Sequence, residues 1–164
     1  MELVALLVIP ESLKQMTVLI SLEMPGSADY IPLARHFGKE LMEELKIVPS
    51  DIFDIGCVVT ELVTNSVRHA KMINGRLQMQ IDCLFDRVVI TVTDSGKGFY
   101  IADIAEPGSI RPDFDFKDRV GGFGLPLVAA LSSKVDFTCL RPSGMQVRAE
   151  VMLCEFRPIL TLAA

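Results

Sequence analysis

The spacing of apolar positions predicts two helices in the first half of the chain. Residues 28–45 carry apolar side chains at helical spacing, which is typical of a helix packed on a surface. These positions are Ile31, Leu33, Ala34, Phe37 and Leu41. A second helix is predicted over 51–71, after the start signal of Pro49 and Ser50, with one apolar stripe towards the core. The stripe consists of Ile52, Ile55, Val59, Leu62 and Val63.

Strict alternation of apolar and polar residues predicts strands. Residues 17–24 (TVLISLEM) are typical of one strand. Residues 77–83 and 88–92 alternate in the same way, so we expect two strands joined in a hairpin by a turn at Asp86.

A short helix and a second hairpin are predicted near the end of the chain. The helix covers 124–133, with Pro126 tolerated in its first turn. VDFTCL (135–140) and MQVRAEVML (145–153) then alternate on either side of a Pro-Ser-Gly turn. Because helices and strands are segregated along the chain, the fold class is predicted to be α+β, a sandwich of two layers.

Between these elements, residues 94–122 are rich in glycine, proline and charge, and we expect a functional loop that acts as a lid. No internal repeat, low-complexity run or linker divides the chain. We therefore expect one domain over 1–164, with a core at about 17–153 and terminal extensions at 1–16 and 154–164.

Composition excludes several classes of protein. The formal charge of −5 and pI near 5.0 leave no basic face for nucleic acid. The four cysteines lack a CxxC pair, which argues against a zinc cage or a redox pair and favours buried thiols in a reducing cytoplasm. No run approaches the roughly 18 apolar residues of a membrane helix, and the acidic start is unlike a signal peptide. A soluble, cytoplasmic protein is expected.

The first candidate chemistry is the stretch TELVTNSVRHA (60–70). On a helix, Glu61 and Asn65 share one face with either Arg68 or His69. An amide oxygen is a suitable ligand for Mg²⁺, and a carboxylate one turn away can take a proton from an attacking hydroxyl. Taken alone, the same spacing also describes a solvated helix face.

The second candidate is DSGKGF (94–99), which begins where an alternating strand ends. This position puts the Asp94 carboxylate at the floor of a pocket, where it can accept a hydrogen bond from the exocyclic amine of adenine. Gly96 and Gly98 allow the backbone to approach a ligand closely. Alone, the segment is also compatible with an ordinary turn.

The third candidate is GGFGLPLV (121–128), in which glycines precede a helix. Free backbone amides and the helix dipole favour an anion such as a triphosphate there, although a glycine-rich turn would look the same. Neither the GxxxxGK[ST] phosphate loop nor an early GxGxxG is present, so a different nucleotide fold is needed.

In this order, ELVTNSVRHA, DSGKGF and GGFGLPLV resemble the N, G1 and G2 boxes of the GHKL ATPase superfamily. The HisAla after the first box and the short chain look most like the anti-sigma factor serine kinases, over about residues 17–153. The resemblance implies a Bergerat-type two-layer sandwich, with a mixed sheet and helices packed on one face. It also implies ATP and Mg²⁺ as cofactors.

The resemblance assigns roles to individual residues. Glu61 would be the catalytic base, Asn65 the Mg²⁺ ligand and Asp94 the carboxylate that reads adenine. The implied nucleotide-binding residues are Asn65, Arg68, His69, Asp94, Gly96, Gly98, Phe99, Gly121, Gly122, Phe123, Gly124 and Leu125. The sequence departs from the family at Met145, where a Thr usually follows the glycine, and this departure bears on nucleotide affinity. Phe123 and Pro126 also differ from the usual residues of the last box.

By this resemblance the protein would be an ATP-dependent serine/threonine protein kinase that acts as an anti-sigma factor. Its partners would be a sigma factor and an anti-anti-sigma (STAS-type) protein that it phosphorylates, and it would form a homodimer. An alternative is a nucleotide-gated binding module without phosphoryl transfer. A purely structural interaction domain is disfavoured, because it would not require the three motifs in this order. A histidine kinase fragment is disfavoured for two reasons. No acid follows His36, and the sequence does not show the paired dimerisation helices that such a kinase needs.

Overall fold

The computed structural model describes residues 3–8, 17–69, 75–96, 124–140 and 143–154. The strands are β1 (Leu3–Val8), β2 (Thr17–Pro25), β3 (Arg76–Cys83), β4 (Arg87–Asp94), β5 (Lys134–Cys139) and β6 (Met145–Met152). The helices are α1 (Ile31–Glu44), which follows a 3₁₀ turn, α2 (Pro49–His69) and α3 (Gly124–Leu131). Each helix and strand predicted from the sequence is present, with small shifts at its ends.

The six strands form one sheet in the order β1-β2-β3-β4-β6-β5. All neighbouring pairs among the described strands are antiparallel, so the expectation of a mixed sheet is wrong in this respect. β5 does run in the same direction as β4, but its hairpin partner β6 lies between them. The two-layer α+β architecture is otherwise confirmed.

The core lies between the sheet and α2. The apolar side chains of β3 alternate inward, and the stripe of α2 is buried against them, as predicted. α2 packs over β3, β4 and β6, and it is flanked by α1 and α3. The fully buried stripe residues are Ile55, Val59, Leu62 and Val63, with Ile52 partly buried. Only the residues of β4 whose side chains point to this face of the sheet can therefore contact α2.

Strand β1 was not predicted from the sequence. It pairs with β2 from Leu3 opposite Leu22 to Val8 opposite Thr17, so part of the expected N-terminal extension joins the edge of the sheet. Residues 3–9 are almost uniformly apolar and show no alternation, which removes the signal that distinguishes a strand.

The face of the sheet away from the helices carries a charged cluster centred on Glu150. This side chain is buried, and it accepts hydrogen bonds from Arg87 Nη1 at 2.9 Å and from Arg148. These two bonds, the one from Arg148 first, lower the pKa of Glu150 below its ordinary value. The cluster therefore favours the ionised carboxylate in the folded protein.

Two expectations drawn from composition have mixed outcomes. Cys83 is buried, and burial raises the pKa of its thiol to about 12, whereas Cys57 is half-buried and Cys139 and Cys154 are exposed. The expectation of four buried thiols is therefore wrong. Within the described ranges, no helix is long and apolar enough to cross a membrane.

Candidate active site

Three residues predicted from two separate motifs meet where α2 passes the start of α3. A Cβ placed on Gly124 would lie 2.4 Å from Oε2 of Glu61 and 3.4 Å from Nδ2 of Asn65. Glu61 and Asn65 are one helical turn apart on α2, so both side chains project towards the first residue of α3. The structure therefore brings Glu61, Asn65 and Gly124 together, while their individual roles stay predictions.

The amide of Asn65 is a buried group with unused hydrogen-bonding capacity. Its Nδ2 has no partner among the described residues. A buried polar atom without a partner costs about 1 to 3 kcal/mol, so its presence indicates a position that a ligand would satisfy. Rotation of the amide by a half turn exchanges its oxygen and nitrogen, and an amide oxygen there fits Mg²⁺.

The surroundings of Asn65 indicate how such a metal would be held. In the part of the chain that the structure describes, no group of three or more His, Cys, Asp or Glu side chains could enclose a metal ion. Mg²⁺ commonly keeps several waters and binds through one or two protein groups plus substrate phosphates. The donor set at Asn65 fits that mode of binding.

Asp94 forms the second part of the site. It is the last residue of β4, and the alternation of that strand points its side chain towards the helices, where it is buried. Its Oδ1 accepts a hydrogen bond from the N–H of Gly96 at 2.9 Å. Ser66 on α2 and the backbone of Met145 on β6 lie near the carboxylate, and each acts to lower its pKa.

The surroundings of Asp94 alter the pKa of its carboxyl. Burial raises the pKa of this carboxyl above its ordinary value, and the hydrogen bonds from Gly96, Ser66 and Met145 offset that effect only in part. A further hydrogen-bond donor close to this buried carboxylate would stabilise its ionised form. The amino group of adenine is such a donor.

The turn before β6 brings the backbone close to Asp94. Gly144 has a φ of +117°, and a Cβ there would lie 2.5 Å from the carbonyl oxygen of Asp94. Its own carbonyl accepts a hydrogen bond from the N–H of Leu140 at 3.0 Å. A side chain at this position would be strained and would collide with main chain. The side chain of Met145 packs in the core beside Asp94.

The remaining predicted residues stand as follows. Arg68 is exposed on α2, Leu125 is half-buried in the first turn of α3, and Gly96 is buried against Asp94. The nucleotide-binding roles of Arg68 and Leu125 stay predictions. So do those of the side chain of His69 and of Gly98, Phe99, Gly121, Gly122 and Phe123, which lie outside the described residues.

Two neighbours of the Asp94 carboxylate, Ser66 and the backbone of Met145, were not predicted from the sequence. The signal for Ser66 was weak, a hydroxyl next to Asn65 on the predicted helix. Whether it faces Asp94 depends on how α2 lies over β4, which no local pattern gives. Since Ser66 directly follows Asn65, one helix connects the Asp94 pocket with the Glu61–Asn65–Gly124 group.

Comparisons with known sequences show which proteins this chain resembles. A family model described as a histidine kinase-like ATPase domain matches residues 24–151. The chain is 31% identical over 134 residues to the serine-protein kinase RsbW of Staphylococcus epidermidis, an alignment that covers 78% of this chain and 82% of the relative. RsbW of Staphylococcus aureus strain JH9 matches with the same identity and coverage.

Two solved structures share the fold. The crystal structure of the RsbU and RsbW domains of Rv1364c from Mycobacterium tuberculosis has a TM-score of 0.57 at 18% identity, covering 85% of this chain and 34% of that one. This chain thus spans about a third of that protein's length. The SiaB–SiaC complex of Pseudomonas aeruginosa has a TM-score of 0.57 at 16% identity, covering 79% and 88%. The expected resemblance to GHKL anti-sigma factor serine kinases is confirmed.

Proposed function

Because the chain belongs to the histidine kinase-like ATPase family, we propose that it is an ATP-dependent serine/threonine protein kinase acting as an anti-sigma factor. Its substrate is a hydroxyl of an anti-anti-sigma protein with a STAS-type fold, and its second partner is a sigma factor. The relatives named serine-protein kinase support the reaction class. The family resemblance supports a cytoplasmic homodimer.

The observation that carries the proposal is the meeting of Glu61, Asn65 and Gly124. It places a carboxylate, an amide with unused capacity and a helix N-terminus side by side. A helix N-terminus favours an anion because its first N–H groups have no partner within the helix. The triphosphate of ATP therefore fits at the start of α3, with Glu61 and Asn65 beside it.

Each side chain then has one task in phosphoryl transfer. The acceptor hydroxyl attacks the γ-phosphorus, the bond to the β-phosphate oxygen breaks, and ADP leaves. Glu61 accepts the proton of the attacking hydroxyl on a carboxylate oxygen. Asn65 holds Mg²⁺, which when bound neutralises charge on the phosphate oxygens. Asp94 orients the nucleotide by accepting from the adenine amine.

A phosphate-transfer assay tests the proposed kinase activity. The full chain is incubated with ATP labelled at the γ-phosphate, Mg²⁺ and a STAS-type anti-anti-sigma protein from the same genome. The expected result is label on the partner, and none when the partner's acceptor serine is replaced by alanine. ATP binding together with a nucleotide-dependent complex, but without transfer to any authenticated partner, would instead establish the nucleotide-gated binding module. Absence of ATP binding would overturn both readings.

A further inference from the structure

Strand β1 lies at one edge of the sheet and has a single neighbour. It pairs with β2 from Leu3 to Val8, and no described strand lies on its other side. The outer edge of such a strand carries a row of backbone N–H and C=O groups that the sheet itself does not pair. This row is a template on which one further strand can be added.

We propose that β1 is an interaction surface for a second copy of this chain, whose own β1 pairs with it in the antiparallel direction. The sheets of the two copies then form one continuous sheet across a two-fold axis. This inference rests on the homodimer in the proposed function, and it adds the surface through which that dimer forms.

The two edge strands of the sheet differ in how their sequences oppose further pairing. Natural proteins protect exposed edges with charged residues or proline. β5, at the opposite edge, carries Lys134 and Asp136, whose side chains form an ion pair at 2.8 Å. β1 has the sequence LVALLV, without charge, proline or glycine. Addition of a strand is therefore disfavoured at β5 and unopposed at β1.

The properties of this edge define the strand that fits it. Every neighbouring pair among the described strands is antiparallel, so a strand that continues the pattern runs opposite to β1. Successive residues of a strand lie on alternate faces, and β1 is apolar at both sets of positions, which favours a neighbour that is apolar on both faces. A second β1 meets both conditions. β5 does not, because every second residue of it is polar.

The absence of charge on β1 also suits a symmetric pair. Across a two-fold axis, a charged residue is brought close to the same charge on the other copy, and like charges on paired strands are destabilising. A pair of β1 strands contains no such charges. An antiparallel pair of identical strands is self-complementary, so the association closes at two copies.

β1 lies apart from both the family match and the candidate site. The family model begins at residue 24, after β1 and most of β2. Within the sheet, β2 and β3 separate β1 from β4, which carries Asp94. The surface is therefore a feature of this chain's own N-terminal segment, and a substitution in β1 can be tested without touching the nucleotide site.

Hydrogen exchange on the full-length wild type tests the surface directly. Peptides that cover residues 3–8 and 134–139 are followed by mass spectrometry at protein concentrations that span the monomer–dimer transition, which sedimentation velocity determines. About half of the N–H groups of an edge strand point away from its neighbour, so roughly three amides of β1 should gain protection as the dimer forms. Exchange in residues 134–139 should not change.

Leu6→Lys places a charge in the middle of β1 on both copies. It should raise the dissociation constant of the dimer by about tenfold, measured by sedimentation velocity. Leu6→Thr keeps strand propensity and should weaken the dimer in the same direction if Leu6→Lys does not fold. Thr138→Lys is the matched control, because it adds the same charge at an exposed residue of the other edge strand. It should leave the dissociation constant unchanged, and ATP affinity should equal that of the wild type in all three variants.

The outcomes separate failure of the inference from failure of the proposed function. A dimer whose residues 3–8 exchange as fast as in the monomer would overturn the inference and leave the homodimer in place. Full protection of residues 3–8 in the monomer would overturn it as well, because another segment of the same chain would then cover the edge. A chain that stays monomeric at all concentrations would overturn both the homodimer and the inference, whereas phosphate transfer decides the kinase activity separately.

Discussion

Gly124, the first residue of α3, lies so close to the carboxylate of Glu61 that a Cβ added to it would force the Glu61 side chain to move. A Cβ on Gly124 would come within 2.4 Å of Glu61 Oε2, a separation that real Cβ atoms essentially never show. The start of α3 therefore directly limits where the proposed base can lie. Any displacement of that helix changes the space beside Glu61 and Asn65.

Substitution of this glycine should impair transfer strongly. In Gly124→Ala the new methyl group displaces Glu61, and we expect the transfer rate to fall by about 10²-fold or more, the range set by a positioned general base. Gly56→Ala is the matched control, because a Cβ there meets nothing within 4 Å. It should keep full transfer and raise the free energy of unfolding by about 0.5 to 1 kcal/mol. Equal transfer rates in the two variants would contradict the assigned contact.

Gly144 should be intolerant of a side chain for a different reason. Its φ of +117° disfavours other residues, and its Cβ would meet the Asp94 carbonyl at 2.5 Å. We expect Gly144→Ala to lower the free energy of unfolding by about 1 to 3 kcal/mol, measured by urea denaturation. Gly38→Ala is the control, since the Cβ there would make ordinary contacts of 3.5 Å and more. A Gly144→Ala variant as stable as Gly38→Ala would refute the geometry of this turn.

The helices and strands with a periodic pattern were predictable because each leaves a local signal. The α2 stripe, the two hairpins and the spacing of Glu61 and Asn65 can be read from neighbouring residues. Pairing across the sheet has no such signal, so the insertion of β6 between β4 and β5 was not foreseen. The same reason applies to Ser66, because its contact with Asp94 depends on tertiary placement.

The raised pKa of Asp94 predicts opposite pH dependences of stability and binding. Because the folded-state pKa lies above the unfolded value of about 3.9, the contribution of Asp94 to stability is fully present below that value and lost as pH rises through the folded pKa. ATP affinity should rise over the same window, since only the ionised carboxylate has its full acceptor capacity. Thermal melts of the free protein and ATP titrations from pH 4 upward test this. Asp94→Asn should lack both trends, and identical profiles for the two proteins would contradict the prediction.

Glu150 should contribute with the opposite sign. Its pKa is lowered by Arg148 and Arg87, so its stabilising effect is present above the unfolded glutamate pKa of about 4.3 and lost as pH falls through the folded value. We expect Glu150→Gln to reduce the free energy of unfolding more at pH 7 than at pH 3. Urea denaturation at both pH values measures the difference. A loss of the same size at both would show that the charge of Glu150 is not what matters.

In the proposed mechanism Glu61 takes a proton and Asn65 would hold the metal, and two substitutions separate these tasks. Glu61→Gln keeps the shape of the side chain and removes its proton acceptance. Asn65→Ala removes the amide that faces the start of α3. We expect the first variant to bind Mg²⁺ and ATP almost normally and the second to bind them weakly.

The decisive measurement is transfer of labelled γ-phosphate to the serine-bearing partner, run beside an ATP titration for the wild type and both variants. Glu61→Gln should transfer about 10²- to 10⁴-fold more slowly than the wild type at nearly unchanged ATP affinity. Asn65→Ala should lose affinity and transfer together. Transfer by Glu61→Gln at the wild-type rate would contradict the assignment of Glu61 as the general base.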